Sequence, residues 1–166
     1  IEGSVAAVEA AIERGEAYAK SVGRFIVSHI IPRPSEDTEK MAYLLDINRD
    51  KFNKKMPKNF KGVEYSEEPY KKSLGIFEVS GFTAAVVGLD AMLKAASVRL
   101  LHKEERLGGR LVTLVVTGSV SDVKAAVEHG AEIAAPLGPV YGQECISNPH
   151  PELMKFFDVS AINEGE

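Results

Sequence analysis

One cysteine, Cys145, stands in the 166 residues of this chain. It excludes an internal disulfide and any zinc site built on several cysteines, and it fits a reducing, cytoplasmic setting. No apolar run approaches the roughly 18 residues needed to span a bilayer, and no signal peptide opens the chain, so no membrane partner is expected. Positive charge is not in excess: 20 Lys and Arg face 24 Asp and Glu, a net of -4, which gives no reason to expect nucleic acid as a main partner. The histidines His29, His102, His129 and His150 lack the H-E-x-x-H spacing of a metalloprotease. Glu104 and Glu105 form an acidic pair with no identifiable nucleophile or base nearby, and Pro136-Leu137-Gly138-Pro139 is a turn rather than a phosphate loop. The chain is therefore expected to be no enzyme, with no catalytic set, no metal site and no cofactor. With 45% hydrophobic and 27% charged residues, it has the balance of an ordinary globular protein.

What the chain does have is an internal repeat. Residues 3–41 line up without a gap on residues 118–156, at a constant offset of 115. Gly3, Gly15 and Gly23 fall on Gly118, Gly130 and Gly138, and Pro34 falls on Pro149. Two copies of one unit mean a tandem arrangement. The second copy is preceded by 44 well-patterned residues, 74–117, and the first by none. The expectation is one and a half units, with the front of the first outside this sequence.

Residues 4–20 carry Val5, Val8, Ala11, Ile12 and Ala19 at helical spacing, with Ser4 as N-cap and Gly23 closing the turn that follows. RFIVSHII, at 24–31, reads as a strand stopped by Pro32 and Pro34. Ser35 caps a short helix over 36–45, with Glu36 and Asp37 in its first turn. Residues 46–72 follow no period and read as a polar linker. Six basic residues and one acid lie between Arg49 and Lys61, beside Phe52 and Phe60. A solvated connector is favoured there over a nucleic-acid patch. The second unit then reads as strand 74–80, Ala-rich helix 82–96, strand 97–104, a glycine-paired turn at 105–110, strand 111–118, a helix from Ser119 to 135, strand 139–146 and a short helix at 149–157. The order β-α-β-β-α-β predicts an α+β, ferredoxin-like fold, an antiparallel sheet with helices packed on one face. The domains are 1–45, the C-terminal half of a first unit; 46–72, linker; 73–160, a complete second unit; and 161–166, a tail.

The order names no function by itself; the local sequences are more specific. SLGIFEVSGFTAAVVGLDAMLKAASVRLL, from Ser73, resembles the opening of bacterial microcompartment (BMC) shell domains, where an Ala-rich helix closes in D-A-x-L-K-A-A. RLGGRLVTLVVTGSVSDVKAAVEHG, from Arg106, resembles the family's pore loop, central strand and second helix. VSHIIPRPSED, at 27–37, resembles its H-x-I-P-R-P-x-E signature. Three motifs in the right order cover nearly everything but the linker.

The resemblance implies a structural shell protein of the tandem-domain class, in which three chains form a pseudohexamer that tiles into a shell. It implies Lys94 along the tile edge, its stem lying on apolar surface, and Arg33, stiffened by flanking prolines, inserting into the neighbouring tile with His29 and Pro34 beside it. It places Gly108, Gly109 and Arg110 at a central pore for small polar metabolites, Arg110 favouring anions. The residue types alone also allow ordinary surface charges and a plain hairpin turn. Implied partners are other copies of the chain, other shell proteins and encapsulated enzymes. Some tandem relatives hold an iron–sulfur cluster through a pore cysteine; this pore turn has none. The second copy departs from the signature, with Glu144 at the position of His29 and Ser147-Asn148-Pro149-His150 at that of Pro32-Arg33-Pro34-Ser35, so alternate edges differ. Two rival readings are a single-domain hexamer with an N-terminal extension and a ferredoxin-like module that binds a small molecule between subunits.

Overall fold

The computed structural model describes residues 1–38, 41, 73–106 and 110–154. Helix α1 (Val5–Ser21) precedes a contiguous unit of β1 (Ser73–Ser80), α2 (Phe82–Ala95), β2 (Val98–Arg106), β3 (Leu111–Gly118), α3 (Val120–Ala134), β4 (Val140–Ile146) and α4 (Pro151–Met154). The strands form one sheet in the order β2-β3-β1-β4, with every neighbouring pair antiparallel. This is the expected βαββαβ arrangement. The linker 46–72, residues 155–160 of the second unit and the tail 161–166 lie outside the described residues.

Strand alternation decides which sheet face is covered. Phe77 pairs with Leu114 and Val79 with Val112, so all four point to one side. There they are fully buried with Leu89 and Met92 of α2 and Val123, Ala126 and Ala134 of α3. Leu74 and Val115 point to the other side, where Leu153 of α4 covers them in a smaller cluster. The two large helices pack closely because of Gly130: a Cβ there would lie 2.4 Å from Met92 Cγ and 2.9 Å from the Gly88 carbonyl oxygen. Gly75 plays the same part between strand and helix, since a Cβ on it would come 2.6 Å from Val127.

Both copies of the repeat begin their helix in the same way. The Ser4 hydroxyl accepts from the Ala7 N–H at 3.4 Å, and the Ser119 hydroxyl from the Asp122 N–H at 3.1 Å. Gly23 has φ +66 and closes α1 as expected. The two helices then part company. Val123, Ala126, Val127, Ala131 and Ala134 are buried in the core, whereas their counterparts Val8, Ala11, Ile12, Glu16 and Ala19 are half-buried or exposed. Helix α1 packs against no other described helix or strand, and nothing lies within 4 Å of a Cβ built on Gly15.

The expected strand over 24–31 is not formed. A strand needs a ladder as well as a β-rich composition. Its counterpart β4 takes that ladder from β1, and no described strand pairs with residues 24–31. The segment is instead tied back to α1. The Ser28 hydroxyl bonds Glu16, and Lys20 Nζ sits 4.6 Å above the Phe25 ring. Strand β2 runs through Glu105 and Arg106, expected as turn, because these pair with Val112 and Leu111. Of the expected 36–45 helix, residues 36–38 and 41 are helical and the rest lie outside the described set. Helix α4 starts at Pro151 rather than at 149, after His150 Nδ1 accepts the Glu152 N–H at 3.2 Å.

Candidate functional site

The tail of the first repeat lies against the helix layer of the second unit. His29 to Pro32 form one wall of a cleft of about 330 Å³, and α2 forms the other through Val87, Asp90, Ala91 and Lys94. His129 and Ile133 of α3 close its end. Most of the lining is apolar, and Lys94 sits at the rim with its side chain 46% exposed.

Asp90 organises the cleft. It stands one helical turn before Lys94, and its side chain is only 8% exposed. A buried carboxylate must have partners, and Asp90 has three. Its Oδ1 accepts from the Ser35 N–H at 2.8 Å and from the Thr38 hydroxyl at 3.2 Å, and its Oδ2 accepts from Lys94 Nζ at 2.5 Å. A second carboxylate fixes the same tail: Asp37 Oδ2 accepts the Leu100 N–H, at the outer edge of β2, at 3.1 Å. Met41, fully buried, enters the core of the second unit. The Ser35 hydroxyl caps the turn, accepting from the Thr38 N–H at 3.4 Å as its sequence position suggested.

Between the cleft wall at Pro32 and the anchor at Ser35 lie Arg33 and Pro34, both exposed. Arg33 has φ +59, the single non-glycine residue with positive φ among those described. The left-handed region costs an L-residue about 1–2 kcal/mol. Such strain persists only where the surroundings enforce it; a following proline favours extended backbone, so the fixed points on either side, Pro32 on the cleft wall and the Ser35–Asp90 bond, hold it here. His29 is exposed on the cleft wall. Of the edge residues expected from sequence, His29 and Lys94 therefore share a cleft, with Arg33 and Pro34 on the turn that leaves it. Sequence reasoning missed Asp90, Thr38 and Met41 as the joint between the repeats; the available signal was the Asp90–Lys94 spacing of one helical turn.

The candidate pore residues Gly108 and Gly109 lie outside the described residues. Arg110 is exposed at the start of β3, and its carbonyl accepts the Gly81 N–H at 2.9 Å. Among the described residues, no group of three His, Cys, Asp or Glu side chains could hold a metal ion, and no helix is long and apolar enough to cross a membrane.

Comparison with known proteins agrees with this geometry. The BMC domain family matches residues 1–34 and 73–149. The carboxysome assembly protein CcmO of Synechococcus elongatus is 34% identical over 155 residues, covering 93% of this chain and 52% of CcmO. The chain thus spans about half the length of that relative. The bacterial microcompartment shell protein PduA of Salmonella typhimurium is 41% identical over 85 residues, 51% of this chain and 89% of PduA. A microcompartment protein of Desulfitobacterium hafniense, known from its crystal structure, shares the fold with a TM-score of 0.61 at 23% identity, over 92% of this chain and 73% of that one. With matches to both segments and the βαββαβ sheet, the chain belongs to the BMC-domain family.

Proposed function

We propose that the chain is a structural shell protein of a bacterial microcompartment, not an enzyme. It tiles edge to edge through Lys94, Arg33, His29 and Pro34. Residues 1–45 are the second half of one BMC domain, residues 73–160 are a complete second one, and three chains close a pseudohexamer. The observation that carries this reading is the convergence of the edge residues. The half-exposed Lys94 is bonded to the buried Asp90 carboxylate, and the same carboxylate takes the Ser35 N–H, two residues after the exposed Arg33 with its left-handed backbone.

The contact between the repeats supports a ring. The first unit offers its tail, and the second offers the faces of α2 and β2. Unlike surfaces meeting head to tail close into a ring when the rotation allows. The pore is assigned to Gly108, Gly109 and Arg110 at the β2–β3 turn, passing small polar metabolites and favouring anions. Partners are further copies of the chain, other shell proteins and the enzymes they enclose, in the bacterial cytoplasm. The relatives, a carboxysome assembly protein and a microcompartment shell protein, support the same class.

Native mass spectrometry tests the stoichiometry. Three chains per ring are expected. Six chains per ring would make each chain a single-domain subunit whose first 72 residues are an extension, and the tandem reading would fall.

A further inference from the structure

We propose that Asp90 is the positioning residue of the edge. It joins the docking of the first repeat's tail to the presentation of Lys94, so that the two occur as one event. The inference rests on the edge reading above and concerns what sets that edge.

Its two carboxylate oxygens have separate duties. Oδ1 takes both donors from the first repeat, Ser35 N–H and Thr38 hydroxyl, and Oδ2 takes the Lys94 ammonium. With both oxygens engaged, the carboxylate plane is fixed from two sides. The ammonium is thereby held over its own helix instead of sweeping the rim on a flexible four-carbon stem. If the tail leaves, Oδ1 loses both donors, the carboxylate is free to turn, and Lys94 loses its fixed anchor. In the other direction, a carboxylate that is almost wholly buried needs a cation and donors together. The Arg33 turn is immediately N-terminal to Ser35, so the same joint sets both edge residues.

Thr38 offers a clean probe because it is 3% exposed and bonds Asp90 Oδ1, whereas Lys94 bonds Oδ2. Any effect of Thr38→Val on Lys94 or on tiling must pass through its neighbours. The experiment is reductive methylation of the assembled full chain, reading Lys94 by mass spectrometry. Electron microscopy of sheets is done in parallel, on wild type, Thr38→Val, Asp90→Asn and Lys94→Ala. Thr38→Val is expected to raise the Lys94 labelling rate several-fold, toward the about tenfold that is the low end of what one hydrogen bond to a charged acceptor is worth. It is also expected to reduce sheets while rings persist. Asp90→Asn should do the same more strongly.

Lys94 labelling in both variants equal to wild type would overturn the proposal. So would faster labelling with sheets unchanged while Lys94→Ala sheets are lost. If Thr38→Val does not fold, Asp90→Asn, which keeps an acceptor for Ser35 and Thr38 but no charge for Lys94, decides by the same two readouts. Intact sheets with Lys94→Ala would instead remove the edge reading, and coupling measured by labelling is then judged alone.

Discussion

Single residues carry much of the difference between the two repeats. Gly15 and Gly130 occupy the same place in the repeat, yet the first faces open space and the second faces Met92. The same substitution should therefore act in opposite directions. Gly130→Ala is expected to lower stability by about 1–3 kcal/mol through overpacking, seen as a lower urea midpoint. Gly15→Ala should stabilise α1 by about 0.5–1 kcal/mol through helix propensity, seen as slower amide exchange along that helix. Equal effects at both sites would contradict the open setting of α1. Arg33 gives a second test. Arg33→Gly removes about 1–2 kcal/mol of left-handed strain together with the guanidinium, so the fold should hold or gain stability in a thermal melt while sheet formation falls. A fall in stability would show that the strain is not there. The helix caps at Ser4 and Ser119, the turn at Gly23 and the stiff Pro-Arg-Pro were legible in the sequence because each acts within four residues. Two of the three partners of Asp90 were not, because Ser35 and Thr38 lie 55 and 52 residues away.

At the scale of elements, pattern was enough where an element's partner is also in the chain. The strands β1 to β4 and the helices α2 and α3 fall within two residues of their expected bounds, since hydrophobic alternation and caps agree with the layer they pack into. Residues 24–31 show the limit. Their composition resembles that of a strand, but hydrogen-bonded neighbours make the strand, and the stretch that would stand to them as β1 stands to β4 has no counterpart in this sequence. What holds them to α1 is polar. The Lys20 ammonium and the Ser28 hydroxyl, bonded to Glu16, hold its carboxyl below the ordinary 4.5. A depressed carboxylate stabilises its contact above the ordinary value, and that contribution is lost as pH falls through the lowered one. The contact of residues 24–28 with α1 should thus be intact at neutral pH and released on acidification below 4.5. Amide exchange of this segment, corrected for the intrinsic pH dependence, should accelerate there, and Glu16→Gln should abolish the pH response. A pH-independent profile in the unsubstituted protein would contradict the link.

At the scale of the whole molecule, the fold class and the family were legible because two motifs stand in order on one βαββαβ frame and a third, at 27–37, stands in the first repeat. The union of the two repeats was not, because it rests on a tail that crosses from one unit into the core of the other at Met41. That crossing brings the Arg33 turn beside the helix that carries Lys94, 61 positions later in sequence, as the proposed shared edge requires. Edge-to-edge tiling by this pair is the central claim, and electron microscopy of the purified protein tests it most directly. Wild type should form extended, hexagonally patterned sheets, and Lys94→Ala should remain as folded, discrete rings. Sheets of Lys94→Ala as extensive as those of wild type, or a wild type that never passes beyond discrete rings, would contradict it.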